Sequence, residues 1–239
     1  MGTSSSYTAP TSGGWPAAKG TATRFARQGG TDGGPIEPRQ VTGSYVRALG
    51  GAAAAAASAL AGQAAAARLG QFLSSVAYNG LTQTLQSEEL SVLSGSDTTD
   101  VLMGLVDRLA GPNRTLEEST ARAAMVVVLE RAFGQAETLE DFDALCTRSL
   151  DAAGVLQLFE QFLIEYVYQR MVQEMGERLL NGARTSADLR RVEEDLHEFI
   201  VADVALGFTG IDPLMLDWEE REAHELIEQL LVDAYSQLE

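Results

Sequence analysis

The apolar residues that follow about residue 44 recur at helical spacing, and this periodicity is the feature that most restricts how the chain can fold. The pattern is longest between Asp151 and Leu180, which predicts one helix long enough to touch several neighbours. No strand-like alternation of apolar and polar residues continues beyond four positions. The sequence therefore predicts an all-α, multi-helix bundle, although the pattern does not give the packing order.

Capping signals divide the periodic region into separate helices. Thr115-Leu116-Glu117-Glu118 is typical of a capping box, in which Glu118 reaches back to the Thr115 amide. In the Ala-rich helix that begins at Ala52, Gly62 and Gly70 either weaken the helix or admit a close neighbour. Helices are predicted to begin at Ala52, near Asp97 or Thr98, at Thr115, at Thr138, at Asp151, at Thr185 and near Asp217.

The first fifty residues differ from the rest in composition. Residues 1–51 hold 11 of the 23 glycines and 4 of the 6 prolines, and residues 1–50 carry five cations against two acidic residues. Such a segment buries too little apolar surface to offset the entropy of ordering. We therefore expect a long disordered N-terminal tail over residues 1–43 and a helical domain over residues 44–239.

Composition also excludes several functions. A net charge of −17 argues against direct nucleic-acid binding. No apolar run approaches the roughly 18 residues of a membrane span, and the N-terminus lacks the pattern of a signal peptide, so we expect a cytoplasmic protein without membrane contact. The single Cys146 excludes an internal disulfide and a multi-cysteine zinc site, and is expected to be a small buried apolar residue.

The residues offer little for catalysis. There is no Gly-rich phosphate loop, and the only histidines, His197 and His224, lie in no triad motif. Glu194 and His197 form one Glu-x-x-His unit, which di-iron bundles use twice. The second copy is missing, because Arg221 precedes His224 by three positions. We expect no enzyme activity and no bound cofactor, with Glu194 and His197 as weak metal candidates.

The last predicted helix carries a strongly acidic face. Two interpretations stay open: a solvated surface that keeps the protein soluble, or a docking surface for a basic partner. The acidic residues are Glu219, Glu220, Glu222, Glu225, Glu228 and Asp233.

The N-terminus suits a chemical modification. Gly2 is small enough for Met1 to be removed, and an α-amino group with a pKa of about 7.7–8 is partly an uncharged nucleophile near neutral pH. Without a Cβ, the amine of Gly2 can enter a narrow pocket. Gly2 together with Ser6 also fits the N-myristoylation pattern, although one acyl chain anchors weakly.

This opening, together with segments of the early body, resembles the QatB family, the associated protein of the bacterial Qat antiphage defence system. The resemblance covers about residues 1–130. It is carried by Met1 to Tyr7, Tyr45 to Gly51 running into poly-alanine, Leu69 to Leu73, Thr115 to Glu118 and Arg122 to Ala124.

The resemblance implies a cytosolic four-component system whose other members are a P-loop ATPase, a QueC-like enzyme and a TatD-like nuclease. It implies that the QueC-like partner uses ATP to activate a 7-deazaguanine carboxylate and joins it to the amine of Gly2. This chain would then be an adaptor and protein substrate that binds neither ATP nor the deazaguanine itself. The flanking recognition residues would be Thr3, Ser4, Ser5, Ser6 and Tyr7.

Two other functions stay open at this point. The second is a plain helical scaffold that binds the same partner without being modified. The third is a di-iron-type metal enzyme built on Glu194 and His197.

Overall fold

The computed structural model describes residues 13–31, 34–87, 97–208 and 210–239. Within these ranges there are eleven helices and no strand, which confirms the predicted all-α class. None of these helices combines the length and the apolar character needed to cross a bilayer. The helices are α1 (Trp15–Gln28), α2 (Pro38–Leu49), α3 (Ala52–Ala57), α4 (Leu60–Asn79), α5 (Leu81–Ser87), α6 (Thr98–Ala110), α7 (Leu116–Phe133), α8 (Leu139–Ser149), α9 (Ala152–Gly182), α10 (Ser186–Asp203) and α11 (Arg221–Gln237).

The 31-residue helix α9 is the centre of the bundle and packs against α1, α4, α7, α10 and α11. Its buried residues run from Val155 to Gly182. Because several helices cover α9, even charged residues on it, such as Glu165 and Arg170, are buried. This confirms the long central helix predicted from the periodicity between Asp151 and Leu180.

The capping signals place the helix starts correctly. At α7, the Thr115 hydroxyl accepts from the Glu118 amide at 3.1 Å, and the Glu118 carboxylate accepts from the Thr115 amide at 2.9 Å. The same geometry starts α8 at Thr138, and single side-chain caps start α6, α9 and α10. The exception is α11, which begins at Arg221 rather than near Asp217.

The Ala-rich segment forms two helices instead of one. The backbone leaves helical geometry at Ala59, which separates α3 from α4. The carbonyl groups at the end of α3 have no partner within that helix. Arg170 donates to the Ala55 carbonyl at 2.9 Å, and Gln63 donates to the Ala56 carbonyl at 2.8 Å. The break is therefore stabilised from outside the segment, by a side chain of α9.

Gly62 and Gly70 of α4 admit close neighbours, which was one of the two roles expected for them from the sequence. A Cβ built on Gly62 would lie 2.3 Å from the Tyr166 ring, and a Cβ on Gly70 would lie 2.4 Å from the Trp218 ring. Both aromatic residues are fully buried. The glycines therefore provide the space that lets two large side chains reach the backbone of α4.

The N-terminal part of the fold differs from the expected tail. Helix α1 lies against α9, with Phe25 and Ala26 fully buried. A Cβ on Gly182 of α9 would lie 2.6 Å from the Thr23 carbonyl oxygen. The missing side chain at Gly182 therefore lets the backbone of α1 pack closely on α9. Helix α1 ends at Gly29 in the left-handed conformation, φ 82°. The helical domain therefore begins within residues 13–31, not at residue 44.

Helix α2 crosses the boundary that the sequence predicted after residue 43. It contacts both α1 and α3, and its residues Val41, Tyr45 and Val46 are buried. The Thr42 hydroxyl donates to the Leu238 carbonyl at 3.1 Å, so α2 also holds the end of α11. Residues 1–12 of the expected tail lie outside the described residues.

Candidate functional site

The chain enters the fold at Gly14 and Trp15. Trp15 is 7% exposed and meets Tyr45 of α2 edge to face, with ring centroids 6.2 Å apart. A Cβ on Gly14 would lie 2.9 Å from the Ala48 Cα, so the backbone here sits directly on α2. These two residues, the anchor, hold the start of α1 against α2.

The residues predicted to be modified or recognised, Gly2, Thr3, Ser4, Ser5, Ser6 and Tyr7, lie outside the described residues. Gly2 is eleven positions before Gly13. A fully extended chain spans about 3.3–3.6 Å per residue, so at most about 40 Å can separate the amine of Gly2 from Gly13. The described body therefore begins eleven positions after Gly2, rather than after residue 43 as expected from composition.

A basic groove of about 720 Å³ lies beside this anchor. Its cations are Lys19, Arg24 and Arg178, and the Lys19 Nζ lies 5.5 Å above the Trp15 ring. None of the three forms an ion pair with a carboxylate of the described residues. The residues that line the groove are Trp15, Pro16, Lys19, Gly20, Thr23, Arg24 and Arg178.

Sequence reasoning did not single out these groove residues. The excess of cations over acidic residues in the first fifty positions was the available signal, since Lys19 and Arg24 belong to that set. The predicted tail gave no reason to group these cations. A helix does group them, because residues four positions apart lie on the same helix face. Arg178 comes from α9 and carries no local signal.

A buried polar network surrounds Arg170 on α9. Its guanidinium donates to Glu174 Oε1 at 3.2 Å and to the Ser58 hydroxyl at 2.9 Å. It also donates to the Ala55 carbonyl at 2.9 Å and to the Tyr235 hydroxyl at 3.4 Å. The network joins α3, α9 and α11. It was not predicted, because its members are far apart in the sequence.

A cleft of about 340 Å³ opens beside this network. Glu174 Oε2 and the Tyr45 hydroxyl are both buried beside this cleft. Burial raises the pKa of Glu174 above its ordinary value, while Arg170 and a hydrogen bond between the Glu174 and Tyr45 side chains oppose that shift. Arg170, the cleft's cation, already donates to protein acceptors. The cleft is lined by Leu49, Ala54, Ser58, Leu116, Glu117, Thr120, Arg170, Gln173 and Glu174.

The metal candidates Glu194 and His197 do not come together as a site. Glu194 is exposed, whereas His197 Nε2 lies 2.9 Å from Glu165 Oε2 on the neighbouring helix α9. Burial would raise the pKa of Glu165, but hydrogen bonds from His197 and Gln169 hold it below its ordinary value. Among the described residues, no three of His, Cys, Asp or Glu are grouped as metal ligands would be. The geometry of His197 is that of a helix-to-helix contact.

Two further sequence expectations can be compared with the structure. Cys146 is 2% exposed, and burial raises the pKa of its thiol to about 12, which confirms the interpretation as a small buried apolar residue. The acidic face of α11 is exposed at Glu222, Glu225 and Glu228. Exposure agrees with both interpretations of that face, so the choice between solubility and docking stays open.

The sequence matches a known protein family over most of its length. The family model described as "Qat anti-phage system associated protein QatB" matches residues 50–238. The chain belongs to the QatB family. The match covers α3 to α11, including α9 and the Arg170 network, whereas α1 and α2 precede it. Searches of curated proteins and of solved structures gave no match.

Membership of the QatB family has a direct consequence for function. This QatB-family protein is a component of an anti-phage system, and other components of that system are implied as its partners. The family resemblance stated from the sequence is thereby confirmed. The matched region begins after α1 and α2, so of the groove residues it includes Arg178 but none of those from α1, and it does not include Gly2.

Proposed function

We propose that this protein is a non-catalytic adaptor and protein substrate in antiphage defence, modified at Gly2 by a QueC-like partner in the cytoplasm. The observation that carries the proposal is the anchor at Gly14 and Trp15. It holds the chain to α2 at Gly14, only twelve positions after Gly2. A substrate amine needs such a connection, because a short tether raises its concentration near a docked enzyme.

The chemical step follows from an exposed glycine amine. After Met1 is removed, the amine of Gly2 adds to the acyl carbon of an adenylated 7-carboxy-7-deazaguanine on the partner. A C–N bond forms, the C–O bond to AMP breaks, AMP leaves with the electron pair, and the amine proton passes to solvent. The partner supplies ATP and the deazaguanine, while this chain supplies the nucleophile. The P-loop ATPase and the TatD-like nuclease would act with the same assembly.

The residues before the anchor suit passage through an access channel. Thr3, Ser4, Ser5 and Ser6 are short and uncharged, and Tyr7 is the first large side chain after Met1. Residues 1–12 contain no Asp, Glu, Lys or Arg, so no charged side chain has to be desolvated when the segment enters a narrow site.

Mass spectrometry of the protein co-expressed with its QueC-like partner tests the proposal. The wild-type N-terminal peptide should gain the mass of the deazaguanine acyl group, and Gly2→Ala should lose most of that gain while Met1 is still removed. Thr8→Ala, outside the flanking recognition residues, is the control and should be modified nearly as well as the wild type. An unmodified wild-type peptide, with the partner active and bound, would leave the plain scaffold as the function.

A further inference from the structure

The groove is built from one face of α1 and one residue of α9. Trp15, Lys19 and Thr23 are spaced by four positions, as are Pro16, Gly20 and Arg24, so both rows run along the same side of the helix. Arg178 of α9 also lines the groove. The lining thus combines an indole and a proline with three cations. This composition suits a protein surface, because Trp and Arg are enriched at interfaces.

The charge of the groove is unusual for this molecule. The chain has a net charge of −17, so most of its surface repels an acidic partner. Lys19, Arg24 and Arg178 nevertheless have no carboxylate partner among the described residues. An adjoining cleft of about 400 Å³ shares Arg24, and its second cation, Arg47, donates to the main-chain oxygen of the last residue, Glu239, at 3.2 Å. A positive patch on a negative body attracts an acidic surface and also fixes its orientation.

We propose that the groove docks an acidic protein surface on the enzyme that acylates Gly2. This inference rests on the proposed function, because Gly2 precedes the groove residue Trp15 by only thirteen positions in the sequence. An enzyme held there has its active site within the roughly 40 Å that residues 2–13 can span.

Two other occupants fit less well. Residues 1–12 could fold back on the groove, but they contain no acidic side chain to pair with its cations. A nucleic acid carries a charge about every 1.7 Å of duplex axis, and beyond the groove it would meet the acidic remainder of the body. A compact acidic protein surface satisfies the groove without extending past it.

Gly20 offers a way to block the groove without disturbing the fold. A Cβ built on Gly20 meets no heavy atom within 4 Å, and the residue is exposed in the middle of α1. Gly20→Glu therefore places a negative charge in the groove and replaces glycine with a better helix former. Gly176→Glu on α9 is the matched control, since a Cβ there also meets nothing within 4 Å. Gly176 does not line the groove. It is two positions before Arg178, which corresponds to a rotation of about 200° around the helix axis.

The test measures the rate of Gly2 conjugation at several concentrations of wild-type, Gly20→Glu and Gly176→Glu protein with the purified partner. We expect Gly20→Glu to raise KM about tenfold with kcat nearly unchanged, Gly176→Glu to match the wild type, and added salt to weaken only the proteins with an intact groove. A free peptide of residues 1–12 should react as poorly as Gly20→Glu.

The outcomes separate this inference from the proposed function. If wild-type Gly2 is never conjugated, the proposed function fails. If wild-type and Gly20→Glu proteins are conjugated with equal KM, the function stands and the groove is not the docking site. Retardation of duplex DNA by the wild type but not by Gly20→Glu, with equal conjugation, would assign the groove to nucleic acid and overturn the inference.

Discussion

Gly70 and Gly62 illustrate what a single missing side chain does in this fold. The Trp218 ring occupies the space where Gly70 would carry a Cβ, and the Tyr166 ring does the same at Gly62. The Trp218 indole N–H is also bound, since it donates to the Ser74 hydroxyl at 3.0 Å and to the Pro213 carbonyl at 3.1 Å. The ring therefore cannot move aside without breaking hydrogen bonds.

We expect Gly70→Ala to lower the free energy of unfolding by roughly 1–3 kcal/mol, because the added methyl group overpacks the core against Trp218. Gly176→Ala is the control, a helical glycine with open space around its Cβ. It should raise the free energy of unfolding by up to about 1 kcal/mol through helix propensity. Urea unfolding followed by circular dichroism measures both. Equal effects of the two substitutions would contradict the tight contact at Gly70.

At the scale of elements, α1 changes the description of the N-terminal region. Its buried residues Ala18, Ala22, Phe25 and Ala26 follow helical spacing, yet three of these four are alanine, and glycines lie before and after the helix. In a free chain that composition favours disorder, but next to α9 the small residues permit contact that larger ones would prevent. The same small residues therefore disfavour order in an isolated segment and favour close packing next to α9.

We expect Phe25→Ala to lower the free energy of unfolding by about 3–5 kcal/mol, since the ring is fully buried in the core. Arg27→Ala, on the exposed side of the same helix, should stay within about 0.5 kcal/mol of the wild type. Chemical denaturation of the full chain measures both. If α1 contributed nothing to the fold, Phe25→Ala would be as neutral as its control.

The helix starts that the sequence predicted correctly share a local cause. Thr115 with Glu118 and Thr138 with Asp141 satisfy backbone groups only three positions away, so neighbouring letters carry the information. The break between α3 and α4 depends on Arg170, more than a hundred positions later. Its position could not be predicted, because the partner that stabilises it comes from another helix.

The same distinction applies to the candidate site. The prediction that Gly2 is modified rests on adjacent residues and on the family resemblance, whereas the groove needs Lys19 and Arg24 from α1 together with Arg178 from α9. Only the packing of α1 on α9 brings those charges together. Sequence reasoning that treats α1 as a tail cannot assemble the groove.

At the scale of the whole molecule, the two tryptophans report on separate parts of the bundle. Trp15 lines the groove together with Arg178, whereas the Trp218 ring lies 4.9 Å from that of Phe159. Phe159 and Arg178 are nineteen positions apart on α9, which corresponds to about 28 Å along the helix. Helix α9 connects these regions.

We expect the whole bundle to unfold in one transition, because α1 packs along α9 and is part of the same core. Trp15→Phe leaves Trp218 as the remaining fluorophore, and Trp218→Phe leaves Trp15. In each variant, the urea midpoint from tryptophan fluorescence should coincide with the midpoint from circular dichroism. A Trp15 signal that changes well before the helical signal would mean that α1 detaches independently.

The ring-to-backbone contacts on α4 also constrain how homologous sequences can diverge. A larger residue at position 70 is compatible with the fold only if position 218 becomes smaller, and the same holds for positions 62 and 166. Neither change is tolerated well alone, since one overpacks the core and the other leaves a cavity. Across the QatB family, these two pairs should therefore covary, and a chain carrying a bulky residue at both members of a pair should require a displaced α4.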